Sequence, residues 1–89
     1  MRVCKRVHYR GTVQGVGFRY TTWNIAQGYV VAGYVKNLPS GAVEVVAEGD
    51  AGEVERFLRG VAEQMAGYIQ DQTVDDIPTA GLESFEIRH

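Results

Sequence analysis

Early in this chain the hydrophobic period changes from two to about 3.6 residues across a glycine-rich junction, and this change limits the available folds more than any other feature. Residues 2–13 place Val3, Lys5, Val7, Tyr9, Gly11 and Val13 on one side and Arg2, Cys4, Arg6, His8, Arg10 and Thr12 on the other, the pattern of a strand with one mostly apolar face. After Gly15-Val16-Gly17, the residues Phe18, Thr22, Ile25, Ala26 and Tyr29 recur with the spacing of one helical face, which predicts a helix over roughly 18–28 with Gly28 near its end. A strand running through glycines into a helix is the opening of a βα unit, and the helix must pack back on whatever sheet the strand joins.

The remaining elements follow by the same signals. Residues 29–38 are β-branched and aromatic, Leu38-Pro39-Ser40-Gly41 is turn chemistry, and Val43 to Ala47 resumes a strand, so a hairpin is expected. Asp50 can cap a second helix whose Val54, Phe57, Leu58, Val61 and Met65 form an apolar stripe. Residues 68–77 and Phe85 to Arg88 read as two further strands. The expected class is α+β: a ferredoxin-like split βαβ sandwich, with an antiparallel sheet of four to five strands and two helices on one face, in a single domain over residues 1–89. Strands one and two, joined by a helical crossover, run parallel and end at the same edge; strand three is expected between them, separating their axes by about 10 Å.

Length and charge narrow the function. A chain of 89 residues with 45% hydrophobic content and net charge −2 can hold one core, and it is neither a disordered chain nor a multidomain enzyme. Its longest apolar run, Tyr29 to Val35, falls far short of the roughly 20 residues of a membrane span, and the N-terminus offers no apolar segment of a secretory signal. No membrane association and a cytoplasmic location are therefore expected. The single cysteine, Cys4, has no disulfide partner, and no Cys/His cluster has metal-ligand spacing. The charge is unevenly spread: the first 43 residues carry six cations and no carboxylate, whereas the remainder carries three cations and eleven carboxylates. Either both halves contribute solvated faces to one compact body and the asymmetry averages out, or an anionic ligand binds among the first 43 residues.

Gly11-Thr12-Val13-Gln14-Gly15-Val16-Gly17-Phe18-Arg19 leads into a helix N-terminus, where unpaired N–H groups and the helix dipole favour an anion that glycines allow to approach. Arg19 in the first helical turn opposes that dipole unless it serves an anion gathered there. Nucleotide motifs do not fit, because a P-loop needs Gly-Lys-Ser/Thr and the dinucleotide fingerprint needs Gly where Tyr20 stands.

The block from Gly11 to Arg19, followed by Asn37 within Gly33-Tyr34-Val35-Lys36-Asn37-Leu38-x-x-Gly41-x-Val43-Glu44-Val45, resembles the acylphosphatase family. The resemblance spans the chain and is strong from Gly11 to Gly49. It implies hydrolysis of carboxyl phosphates without metal or cofactor. It also implies a phosphate-binding role for Arg19, a water-orienting role for Asn37, and an amide cradle over Gln14, Gly15, Val16, Gly17 and Phe18. The expected partners are a small-molecule acyl phosphate and inorganic phosphate as product and competitive inhibitor, with a monomeric protein and no nucleic acid. The chain departs from the family in carrying Val30 where Gly is usual and Ser40 where Asp is frequent, and residues 67–81 follow the family loosely.

The chemistry is compatible with so few groups. A carboxylate with a pKa near about 4 leaves without a proton donor, and a loose phosphoryl-transfer transition state asks mainly for charge stabilisation and positioning. Two other classes compete with this one. An RNA-recognition module is echoed by Gly17-Phe18-Arg19-Tyr20 and Tyr34 to Leu38, but the two elements are in the wrong order, Phe18 opens a helix, and the sequence pI of 5.6 disfavours backbone binding. A binding-only domain would keep the cradle and lack turnover. His8 and Cys4 are expected to be passive, Tyr20, Trp23 and Asn24 to border the site, cover a helix edge or contact a partner, and Glu44 and Glu48 to face solvent.

Overall fold

A computed structural model describes residues 1–89. Seven elements follow one another: β1 (Arg2–Gly11), α1 (Phe18–Ala26), β2 (Val31–Asn37), β3 (Val43–Asp50), α2 (Ala51–Gln64), β4 (Ile69–Asp76) and β5 (Phe85–Arg88). The strands form one sheet in the order β4-β1-β3-β2-β5. Both β1 and β2 pair antiparallel with β3, so they run parallel to each other on either side of it. The ferredoxin-like α+β architecture expected from the periodicity is present, with the addition that β5 pairs in parallel with β2 and makes the sheet mixed.

The period-2 strands sort their faces as the alternation requires. Val7, Tyr9, Val35, Val43, Val45 and Ala47 pack with Val54, Phe57 and Val61 of α2 and Phe18 and Ala26 of α1 in one core. Burying each large apolar side chain of this set is worth about 1.5–3 kcal/mol. Asp50 caps α2 as its position suggested, accepting from the Gly52 amide at 3.2 Å. Phe18, the first residue of α1, is buried against Tyr9 with ring centroids 5.1 Å apart, which anchors the helix N-terminus to the sheet.

The opposite sheet face is where the expectation for Glu44 and Glu48 fails. Both are buried rather than solvent-facing. Glu48 lies under residues 80–82, whose amides donate to its carboxylate at 2.7–3.2 Å, and it also accepts from Arg2. Glu44 accepts from the Tyr34 hydroxyl at 3.0 Å and meets His8 Nε2 at 2.9 Å. Alternation correctly assigned these glutamates to the face away from the helices. It carried no information on what covers that face.

The charge asymmetry is largely absorbed here. Lys5, Arg6 and Arg10 of β1 pair with Asp76, Asp75 and Asp71 of β4, and Arg2 pairs with Glu48 of β3. Of the six cations in the first 43 residues, Arg19 and Lys36 form no carboxylate pair.

Candidate active site

The loop between β1 and α1 owes its course to two glycines. Gly15 and Gly17 have φ of 79° and 77°, and no non-glycine residue in the chain has positive φ. The signs of φ therefore alternate along Gln14-Gly15-Val16-Gly17-Phe18, the backbone pattern that turns successive N–H groups toward one concavity. Gly17 is also the N-cap of α1 and supplies no side-chain cap. No backbone N–H from Gln14 to Tyr20 donates to another group of the protein. These amides sit at the positive end of a helix dipole, an arrangement suited to an anion.

A cleft of about 270 Å³ opens over this loop, bordered by Val13, Gly15, Gly17, Phe18, Arg19, Tyr20, Asn37, Ile87 and His89. Five of the residues singled out in the sequence thus meet at one place: Gly15, Gly17, Phe18, Arg19 and Asn37. Asn37 ends β2 on the face it shares with Val35, and its side-chain amide makes no hydrogen bond within the protein. Arg19 donates through Nη1 to the Arg88 carbonyl at 3.3 Å and to His89 Nδ1 at 3.1 Å, and it has no carboxylate partner. An arginine so placed keeps its charge available to a ligand.

Two of the expected cradle residues turn their side chains elsewhere. Gln14 donates from Nε2 to the carbonyls of Leu38 and Ala42, both at 2.9 Å, and so ties the glycine loop to the hairpin that carries Asn37. Val16 packs against the core. Neither borders the cleft with its side chain, although both contribute backbone to the loop.

His89 and Ile87 border the cleft without having been anticipated. They arrive there because β5 lies beside β2, a pairing set by the 77–84 crossover, and no local pattern near residue 89 signals it. Tyr20 was expected to border the site, cover a helix edge or contact a partner, and it does border the cleft. His8 and Cys4 lie on the far face of the sheet; Cys4 is buried, and burial, ahead of the nearby Glu48 carboxylate, pushes its thiol up. No group of three His, Cys, Asp or Glu is placed to hold a metal ion.

Comparison with known proteins supplies an independent line. The family model "Acylphosphatase" matches residues 5–87. The acylphosphatase of Thermotoga maritima is 39% identical over 85 residues, covering 94% of each chain. That of Methanospirillum hungatei is 41% identical over 80 residues, 88% of each. The crystal structure of acylphosphatase from Bacillus subtilis superposes with a TM-score of 0.87 at 31% identity, over 98% of this chain and 99% of that one.

Proposed function

This chain belongs to the acylphosphatase family, enzymes of acyl phosphate hydrolysis, and from that premise we propose that Arg19 and the amides of Gln14 to Phe18 hold the phosphoryl group while Asn37 orients the attacking water. The water oxygen bonds to phosphorus as the bond from phosphorus to the acyl oxygen breaks. The carboxylate leaves with the bonding pair, and the water's proton passes to a phosphate oxygen. The leaving group needs no general acid, since its conjugate acid has a pKa near about 4.

The observation that carries this reading is the meeting of Arg19, without a carboxylate partner, Asn37, with an uncommitted side-chain amide, and an array of free N–H groups at one cleft. A guanidinium and several amides are the groups a loose phosphoryl-transfer transition state requires. Asn37 is neutral and acts by hydrogen bonding, not by abstracting a proton. Inorganic phosphate, as product, occupies the same cradle and competes with substrate.

Steady-state kinetics and phosphate binding on two variants test the roles. Asn37→Ala is expected to lower kcat by about 10²–10³-fold while retaining phosphate affinity. Arg19→Ala is expected to lose both. A variant with unchanged kcat and phosphate affinity removes the role given to that residue.

A further inference from the structure

The cleft is larger than a phosphoryl group needs. Its volume of about 270 Å³ far exceeds the roughly 10–15 Å³ that one water-sized group needs on the same measure, so a phosphate with its four oxygens fills only part of it. What borders the remainder is in part apolar. Tyr20 follows Arg19 directly in the first turn of α1 and is 64% exposed. The other large apolar side chains left markedly exposed, Met1, Val30, Tyr68 and Val74, do not border the cleft. One turn along α1, the Trp23 ring supports Tyr20, with centroids 6.1 Å apart and planes inclined by 32°, and Trp23 is itself packed against the core. Ile87 of β5 is a second apolar border.

We propose that Tyr20, held by Trp23, is a specificity-determining residue that receives the acyl group, and that the cleft favours flat, apolar carboxyl groups such as aryl acyl phosphates over acetyl phosphate. The inference rests on the acyl phosphate reading of the cleft and adds the class of acyl group. The physical basis is the large apolar face that an aromatic ring offers at low conformational cost, with offset or tilted packing against a second ring. Because the contact forms in ground state and transition state alike, it acts on KM and not on kcat.

Binding separates this inference from the question of turnover. Phenacylphosphonate and acetonylphosphonate replace the bridging oxygen of benzoyl and acetyl phosphate by a methylene and cannot be hydrolysed in the same way. Calorimetric titration of the native protein is expected to give about 2- to 12-fold tighter binding of the phenacyl compound, and Tyr20→Ala to bring that ratio close to one, with Tyr20→Phe preserving it. The KM ratio of benzoyl to acetyl phosphate should move in parallel. Equal affinities in the native protein, or a ratio unchanged in Tyr20→Ala, overturn the inference even if both acyl phosphates are hydrolysed. If neither is hydrolysed, the catalytic reading fails, and the phosphonate ratio still decides whether Tyr20 selects an acyl group.

Discussion

Gly17 shows how a single residue can be committed to geometry instead of packing. A Cβ placed there would meet nothing within 4 Å, so space is not what excludes a side chain. Its φ of 77° does, because an L-residue with a Cβ costs about 1–2 kcal/mol in that region. Gly17→Ala is therefore expected to destabilise the fold by about 1 kcal/mol in urea unfolding. Relaxation of the backbone toward negative φ would turn the amides of Gly17 and Phe18 out of the concavity, so kcat/KM should fall about tenfold or more. Unchanged kcat/KM in a folded Gly17→Ala protein would show that these amides do not act on the substrate. Gly-x-Gly at a strand-to-helix junction by itself marks only a tight turn; the cradle was legible through Arg19 behind it and the resemblance of the whole block from Gly11 to Arg19. The side-chain course of Gln14 was not, since its two carbonyl partners lie across the hairpin, 24 and 28 residues away.

At the level of elements, the crossover between β4 and β5 is the part of the fold least visible in sequence and most dependent on one side chain. β4 is an exposed edge strand, Ile69-Gln70-Asp71-Gln72-Thr73-Val74-Asp75-Asp76, in which polar residues stand on both sides, so periodicity marks it weakly. β5 has four residues. By contrast β1, α1, β3 and α2 each bury one face in the core, and their periods announce them. What brings the chain from one edge of the sheet to the other is the Glu48 carboxylate beneath residues 80–82. The Ala80 amide, together with Arg2 and the Gly81 amide, holds the Glu48 carboxyl below the usual carboxylate range against the opposing effect of burial. The folded protein thus binds this proton less readily than the unfolded chain does. Its contribution is present above the ordinary glutamate pKa near about 4.3, and it is lost as the pH falls through the depressed folded value. Glu48→Gln should lower Tm by several degrees at pH 7 and make the acid limb of the stability profile shallower than in the native protein. An unaltered acid limb would mean that Glu48 is not the group whose protonation loosens the crossover.

Over the whole molecule, the division into a basic first half and an acidic second half is resolved by topology. The order β4-β1-β3 sets the cations of β1 between carboxylates of β3 and β4. The exposed pairs of Lys5, Arg6 and Arg10 with β4 contribute about 0–1 kcal/mol each, so their larger effect is to neutralise the sheet face and not to stabilise the fold. Arg19 stands outside this network, at the end of the sheet where β1 and β2 finish side by side with β3 between them. The same parallel relation brings Asn37 to that end, as the βαβ connection requires. The meeting of the two residues was foreseeable from strand direction alone. The border formed by Ile87 and His89 was not, because it depends on a crossover that no local pattern encodes.

The most direct test is the absorbance decay of benzoyl phosphate with purified protein in the presence of a metal chelator, set against the uncatalysed rate. Saturable acceleration that the chelator leaves intact and inorganic phosphate inhibits competitively is the expected result. Absence of acceleration by folded protein would contradict hydrolysis at this cleft and leave its loop and Arg19 as an anion-binding site.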